Sequence, residues 1–274
     1  MPMWPHYHLS WRFLKLRSMS ERKKYFSYSA AGSAFGGILT SPTPLTVPTQ
    51  AMASLSPSGG YGSATVENFG IDGLMTVRRG TTTVQGDPKQ TEVTVTLEDV
   101  NIMNVLTVGR LVVHLVSQLP EGAAEPSITP SGSVIEGLKV HGKDVPLACR
   151  ADVFDRYPLY SSLERAYLED ALKGLIFDPG TLGALCTEKT MAGCVSPAGS
   201  VKATLYSLEN YSCGLPVVNG GLRIKDFATL YLGEYRITKF ARRLTMLRVE
   251  LGCDTGGSLN LGEGSGNGQW EPPD

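Results

Sequence analysis

Apolar and polar residues alternate along many short segments between Gly70 and Leu261. The segments are rich in Val, Leu, Ile, Thr and Tyr, and most alternate with period two, which is typical of half-buried β-strands. Gly and Pro separate them, so we expect an antiparallel β-sandwich or a barrel-like core rather than a parallel sheet. The predicted strands are Gly73–Arg78, Thr91–Leu97, Asn101–Val105, Val108–Ser117, Ser133–His141, Asp144–Leu147, Val201–Leu208, Ala228–Thr238 and Arg242–Leu251.

One segment has helical spacing instead. Ser161 and Glu164 have the S-x-x-E form of a capping box, and apolar residues then recur at intervals of three and four. This pattern predicts one inserted helix over residues 163–177, which ends near Pro179-Gly180. We expect its apolar stripe to pack across an open end or a face of the β core. The predicted fold class is therefore dominated by β structure with a single helix.

The composition agrees with a β fold. The 274 residues include 31 Gly and 17 Pro, only 19% are charged, and 42% are hydrophobic, which is enough for a sizeable core. Residues 1–53 contain six Lys or Arg and one Glu, a net +5, and the remaining 19 basic and 25 acidic residues give −6. A mildly acidic body does not suit binding to a phosphate backbone, so nucleic acid is not an expected partner.

The N-terminal region has the layout of a secretory signal. A basic cluster, Arg22-Lys23-Lys24, precedes a weakly apolar segment, and Ala51-Met52-Ala53 offers a small-x-small cleavage site before Ser54. The alternative is a disordered basic leader, because Ser and Gly dilute the apolar segment. We predict a leader with a signal peptide over residues 1–53 and a secreted or cell-envelope location. No run reaches the roughly eighteen apolar residues of a membrane span, so no transmembrane segment is expected.

The rest of the chain divides into three predicted parts. Residues 54–69 form an extended lead-in, residues 70–262 a single β-rich domain and residues 263–274 a flexible tail. The tail is predicted because bulky apolar residues are scarce after Leu261.

Five cysteines suit an exported protein that forms disulfides. Cys186 and Cys194 would close a short ring and are the favoured pair. The competing pairing is Cys194 with Cys213, which is hard to fit if the strand between them is extended. Cys149, Cys213 and Cys253 would then pair by tertiary proximity. Because no C-x-x-C motif and no D-x-D-x-D-G spacing occurs, we predict neither a metal site nor a cofactor.

The candidate catalytic pair is His141 and Asp144, in the segment SGSVIEGLKVHGKDV at residues 131–145. A turn at Gly142-Lys143 would bring the two side chains within hydrogen-bond distance, and a His-Asp pair is two thirds of a hydrolytic triad. No G-x-S-x-G motif supplies a nucleophile. A solvated hairpin turn is therefore the favoured interpretation, and no catalytic residue is assigned. A secreted hydrolase acting on polysaccharide or ester substrates is the alternative function.

The densest basic patch is RITKFARRLTMLR, which ends at Arg248. With a turn near Phe240, its cations would line the end of a hairpin and meet an anionic polymer. The alternative is that they guard an exposed strand edge against pairing with other chains. The expected partner is a polymer of the cell envelope or the extracellular space. The predicted binding residues are Arg236, Lys239, Arg242 and Arg243.

Two stretches carry a family resemblance: SGSVIEGLKVHGKDV at residues 131–145 and DFATLYLGEYRI at residues 226–237. Together with the preceding VNIMNVLTVGRLVVHLVSQ they resemble the secreted bacterial domains called choice-of-anchor P, over about residues 60–255. The resemblance implies an extracellular β domain with no established catalytic residues. The chain departs from that family in its helix, its cysteine loop and the lack of a visible anchor. The leading hypothesis is an exported, non-enzymatic β domain with a binding or structural role.

Overall fold

Two antiparallel β-sheets pack face to face in this protein, as a computed structural model shows. The structure describes residues 27–120, 123–168, 172, 201–206, 214–218 and 220–270. The predicted fold class, an antiparallel β-sandwich with a small helical part, is confirmed. In chain order the described elements are β1 (Ser27–Ser41), β2 (Leu45–Gln50), β3 (Ala53–Ser54), β4 (Gly60–Ile71), β5 (Met75–Gly86), β6 (Thr91–Ile102), β7 (Leu106–Gln118), β8 (Ser127–Thr129), β9 (Val134–Glu136), β10 (Lys139–Val140), β11 (Lys143–Asp144), α1 (Ala151–Arg156), α2 (Tyr160–Leu168), β12 (Val201–Thr204), β13 (Val217–Val218), β14 (Gly221–Ile224), β15 (Ala228–Ile237), β16 (Arg242–Gly252) and β17 (Gly256–Trp270).

The strands divide between two sheets, called sheet A and sheet B. Within the described residues, sheet A has the order β13-β14-β15-β16-β17-β1-β2, with β12 on β15 and β3 on β1. Sheet B has the order β11-β10-β7-β6-β5-β4, with β8 and β9 on β7. The inward faces of both sheets supply the core, including Leu97, Leu111, Leu244 and Leu261.

The two ends of the described chain pair with each other inside sheet A. β1 runs antiparallel to β17, from Ser27 opposite Trp270 to Ser41 opposite Gly256. This pairing corrects the predicted boundaries. The predicted leader, residues 1–53, contains β1 and β2. The predicted lead-in, residues 54–69, contains most of β4, and the predicted tail, residues 263–274, contains the end of β17. Cleavage before Ser54 would remove β1, one of the two strands that pair with β17.

Close packing between the sheets explains why β1 and β17 do not resemble strands in the sequence. A Cβ atom on Gly32 would lie 2.9 Å from Val95 Cγ2, and one on Gly264 would lie 2.7 Å from Val113 Cγ1. No larger side chain fits at these inward positions. The inward-facing glycines among the residues that suggested a diluted signal segment and a flexible tail are therefore sites of sheet-to-sheet contact.

A transverse row of outward-facing pairs interrupts the alternation in sheet B. In β6, Leu97 and Val100 are both buried, so Glu98 and Asp99 between them both face outwards. Because strand register aligns these pairs, they form one charged row with opposite signs on neighbouring strands. The pairing of β6 with its neighbours continues on both sides of Glu98-Asp99. β6 is therefore one strand, although the sequence pattern predicts two. The other pairs in the row are Glu67-Asn68, Arg78-Arg79, Gly109-Arg110 and Glu136-Gly137.

The helical region begins earlier than predicted, and its described part contains two short helices. α2 starts at Tyr160, so Ser161 and Glu164 lie inside it and form no capping box. Ser161 instead donates hydrogen bonds from its backbone N and its Oγ to the carboxylate of Glu125. α1 was not predicted, and its Phe154 packs edge-on against Tyr235 at a centroid distance of 5.3 Å. Apart from Leu172, the predicted helix beyond residue 168 lies outside the described residues.

Candidate functional site

The segment with His141 and Asp144 folds as a tight hairpin. Lys139 lies opposite Asp144 and Val140 opposite Lys143, so His141 and Gly142 form the turn, one residue earlier than predicted. Both turn residues have positive φ, 49° and 74°, as a type I′ turn requires. Asp144 Oδ1 lies 3.5 Å from Lys139 Nζ, and the described hydrogen bonds include none between Asp144 and His141. The predicted His-Asp contact is not formed.

The predicted binding residues lie on the hairpin of β15 and β16. The predicted turn near Phe240 is confirmed, because Thr238 N donates to Ala241 O at 2.9 Å. Lys239 sits in this turn, with its Nζ 5.3 Å from the centroid of the Phe240 ring. Arg236 and Arg243 are exposed and directly opposite each other.

Arg242 is not part of this exposed surface, which corrects the prediction that it binds a ligand. It is only 2% exposed, because it lies on the inward face of β16 together with Leu244. Its Nη1 donates to the backbone carbonyls of Thr238 and Ala241. Burial lowers the pKa of Arg242, and the neighbouring Tyr235 opposes that shift. Arg242 therefore stabilises the hairpin turn from inside.

Three cations form a row across the outer face of sheet A, which we call the cation row. Lys202 of β12 lies opposite Arg236, and Arg236 lies opposite Arg243. All three are exposed and share one face, because directly opposed residues of antiparallel strands point the same way. β15 and β16 are flanked on both sides by other strands at this level, so Arg236 and Arg243 do not guard a strand edge.

Two further rows of outward residues lie beside the cation row. The first contains Glu234, Thr245, Glu263 and Ser33 in register. The second contains Tyr231, Arg248, Asn260 and Gly36 in register. The face therefore changes from positive charge in the cation row to mixed charge in the two rows beside it, with small residues where those rows reach β1.

Ion pairs neutralise part of this face. Arg243 Nη2 lies 2.6 Å from Glu263 Oε1. Arg248 donates to both carboxylate oxygens of Glu234, from Nε at 2.6 Å and from Nη2 at 2.8 Å, and its guanidinium stacks 3.8 Å from the centroid of Tyr231. The hydrogen bond to Glu234 raises the pKa of Arg248. Arg236 has no described ion pair with a carboxylate, so it is the cation of the row that is most open to an external anion.

Two adjoining cavities lie along the outer face of sheet A. One, of about 470 Å³, borders the cation row and reaches Tyr231, Arg248 and Asn260. The other, of about 580 Å³, extends over β1 and β2 to Thr46 and Met52. Arg243 and Asn260 line both, so the two cavities adjoin each other, and together we call them the face groove. It crosses six strands, about 24 Å at the usual spacing between neighbouring strands.

The remaining chemical groups of the described chain do not form a second site of this kind. Cys149 and Cys253 are free thiols, and burial raises the pKa of Cys149. The predicted pair Cys186 and Cys194 lies outside the described residues. Within the described part, there is no group of three or more metal-ligating side chains. Neither described helix is long and apolar enough to cross a membrane.

Sequence reasoning missed Lys202, Tyr231 and Asn260. Each stands in a segment whose neighbours alternate, so the outward orientation of Tyr231 between Leu230 and Leu232 was available from the pattern. The proximity of the three residues could not be predicted from the pattern, because it depends on β12 pairing with β15 and on β17 pairing with β16.

Comparison with known proteins gives one positive result. No curated protein matches the chain, and no solved structure matches it. One family model, described as a domain of unknown function (DUF8256), matches residues 26–178. That stretch contains sheet B, both helices and strands β1–β3 of sheet A. Because the match spans more than half of the chain, this protein belongs to the DUF8256 family.

Proposed function

We propose that this protein is an exported, non-enzymatic binding domain whose cation row holds an anionic polymer of the cell envelope or the extracellular space. The observation that carries the proposal is the alignment of Lys202, Arg236 and Arg243 in adjacent strands. Like charges directly opposite each other destabilise a sheet. Glu263 offsets part of the charge of Arg243, but Arg236 in the middle of the row has no described ion pair with a carboxylate, so an external anion at Arg236 would offset the repulsion along the row.

The shape of the face groove favours a polymer over a small ion. The groove is open and extends for about 24 Å across six strands, given the usual strand spacing. Four cations line the cavity at the cation row, against one carboxylate, that of Glu234. A chain with repeated negative charge would contact the row and continue along the groove.

The extracellular setting stays a prediction. It rests on the basic cluster Arg22-Lys23-Lys24 and on the resemblance to choice-of-anchor P domains. The predicted cleavage before Ser54 is not part of this proposal, because the fold uses β1.

The test is the affinity of a charge-removal variant for an anionic polymer. We expect the full chain to bind polygalacturonate, and Arg236→Gln with Arg243→Gln to weaken binding by roughly 100-fold or more. Each charge-assisted hydrogen bond contributes about 1.5–3 kcal/mol, and about 1.4 kcal/mol corresponds to a tenfold change in affinity. Isothermal titration calorimetry at low salt measures the effect, since salt screens exposed charges.

The matched control is Arg79→Gln with Arg110→Gln on the outer face of sheet B. Their side chains are each 51% exposed and each lies near a Glu, so the control removes the same charge from an equally accessible surface. Equal loss of affinity in both double variants would mean that net charge alone attracts the polymer. That result would refute the cation row as the binding site.

A further inference from the structure

We propose that the anionic polymer is an acidic polysaccharide, whose carboxylates lie at the cation row and whose hydroxyl groups bind at Asn260. This inference rests on the proposed function and names its ligand class. It comes from the second half of the face groove, where charge gives way to hydroxyl and amide groups.

Asn260 is the central observation. Its side chain lines both cavities of the face groove, in register between Arg248 and Gly36. Its Oδ1 is buried without a hydrogen-bond partner, and the described hydrogen bonds include none from its Nδ2. Because the buried Oδ1 is closed to a ligand, the two Nδ2 donors are the part of the amide that a ligand in the groove can use.

The neighbouring floor has the same chemistry. Ser33, Ser258 and Ser265 line the second cavity with Thr46 and Thr49, and Thr49 packs directly over Gly36. These hydroxyl groups donate and accept, as sugar hydroxyl groups do. Ile38 and Met52, which are 59% and 62% exposed, add apolar surface at the rim. Such surface suits the C–H faces of a sugar ring.

Other anionic polymers fit this floor less well. Polyphosphate offers no hydrogen-bond donor and polyglutamate offers one backbone N–H per residue, so neither supplies the several alcohol groups per repeat that both donate to and accept from the hydroxyl groups of this floor. Unpaired polar groups in a contact region oppose binding. An acidic polysaccharide supplies carboxylates and hydroxyls in every repeat, which matches both halves of the groove.

The test compares two carboxylate polymers, polygalacturonate and polyglutamate, by calorimetry with the full chain. We expect tighter binding of polygalacturonate by the wild type. Asn260→Ala should weaken polygalacturonate binding about two- to tenfold, the usual range for one neutral hydrogen bond. It should change polyglutamate binding less than about twofold. Ser258→Ala is a second variant on the same floor, in case the Asn260 variant does not fold.

Thr83→Ala is the control, because Thr83 is an outward-facing residue in the middle of a strand of sheet B. If Asn260→Ala and Ser258→Ala weaken both polymers equally, or neither, the polysaccharide assignment is wrong and the cation row stands. If polyglutamate binds as tightly as polygalacturonate, the assignment is also wrong. If the wild type binds neither polymer, the proposed function itself fails.

Discussion

At the scale of single residues, two neighbouring charged side chains at the start of β16 lie in opposite environments. Arg242 and Arg243 are adjacent arginines, yet one is buried and the other exposed. Leu244 is apolar, so period two assigns Arg242 to the inward face and Arg243 to the outward face. The sequence contained this distinction, but counting the arginines as one patch concealed it.

Asp155 shows a residue whose environment the sequence could not predict. Its Oδ1 is buried without a hydrogen-bond partner in the described structure. Burial raises the pKa of Asp155, and a hydrogen bond with Ser131 opposes the shift. Nothing in the segment Asp152–Asp155 distinguishes the two acids, because their burial depends on where α1 packs.

The raised pKa predicts how Asp155→Asn changes stability with pH. The folded state holds the Asp155 proton more tightly than the unfolded state, so ionisation penalises folding as pH rises from the ordinary aspartate range through the folded pKa. Asp155→Asn should therefore be more stable than the wild type at neutral pH, and the gain should disappear below the ordinary aspartate range. Urea denaturation midpoints at about pH 7 and about pH 3 measure the gain.

Asp152→Asn is the control, because Asp152 is exposed on the same helix. A pH-dependent gain of equal size in both variants would attribute the effect to net charge rather than to burial of Asp155.

At the scale of elements, strand existence was predictable and strand register was not. The pattern located β15 and β16 to within one residue, because the alternation in each shifts at consecutive buried residues, which leave no polar gap in the apolar run. It divided β6 at Leu97, because two outward residues follow each other there. Asp99 has a φ of 50°, and this local backbone conformation shifts the alternation without ending the strand.

In sheet A, Gly262 of β17 has a positive φ like that of Asp99 in sheet B, and its packing gives a prediction for β17. Its φ is 63°, and a Cβ atom there would lie 2.2 Å from Leu111 Cδ2. Gly262→Ala should lower the free energy of unfolding by about 2–4 kcal/mol, from the strained backbone and the overpacked core together. Chemical denaturation of the full chain measures the loss.

Gly252→Ala is the matched control at the end of β16. A Cβ atom at Gly252 has nothing within 4 Å, so we expect a much smaller change in stability. Similar losses in the two variants would contradict the inward packing of β17 against Leu111.

At the scale of the whole molecule, the described parts of the predicted leader and tail turned out to be strands for one physical reason. Small residues are typical of leaders and flexible tails, but in β1 and β17 they allow two sheets to approach closely. Composition cannot distinguish these cases. The candidate site was also predicted only in part. Arg236 and Arg243 were predicted from the sequence, whereas Lys202 and Asn260 reach the site through pairing between distant strands.

The pairing of β1 with β17 predicts that the family-matched segment is not a folding unit. A fragment of residues 26–178 lacks β12–β17. β1 therefore loses its pairing with β17, and the core loses Leu244, Leu247 and Leu261. We expect it to lack cooperative thermal unfolding and dispersed amide NMR signals, whereas the full chain shows both. A fragment that folds cooperatively would contradict this arrangement of sheet A.

The central claim is that an anionic polymer binds across the outer face of sheet A, and hydrogen–deuterium exchange with polygalacturonate tests it most directly. The account predicts slower amide exchange in peptides from β15, β16 and β17 when the polymer is present, with strands β4–β6 unchanged. The Arg236→Gln and Arg243→Gln double variant should lose this protection. Protection confined to sheet B, or none at polymer concentrations that saturate binding, would contradict the account.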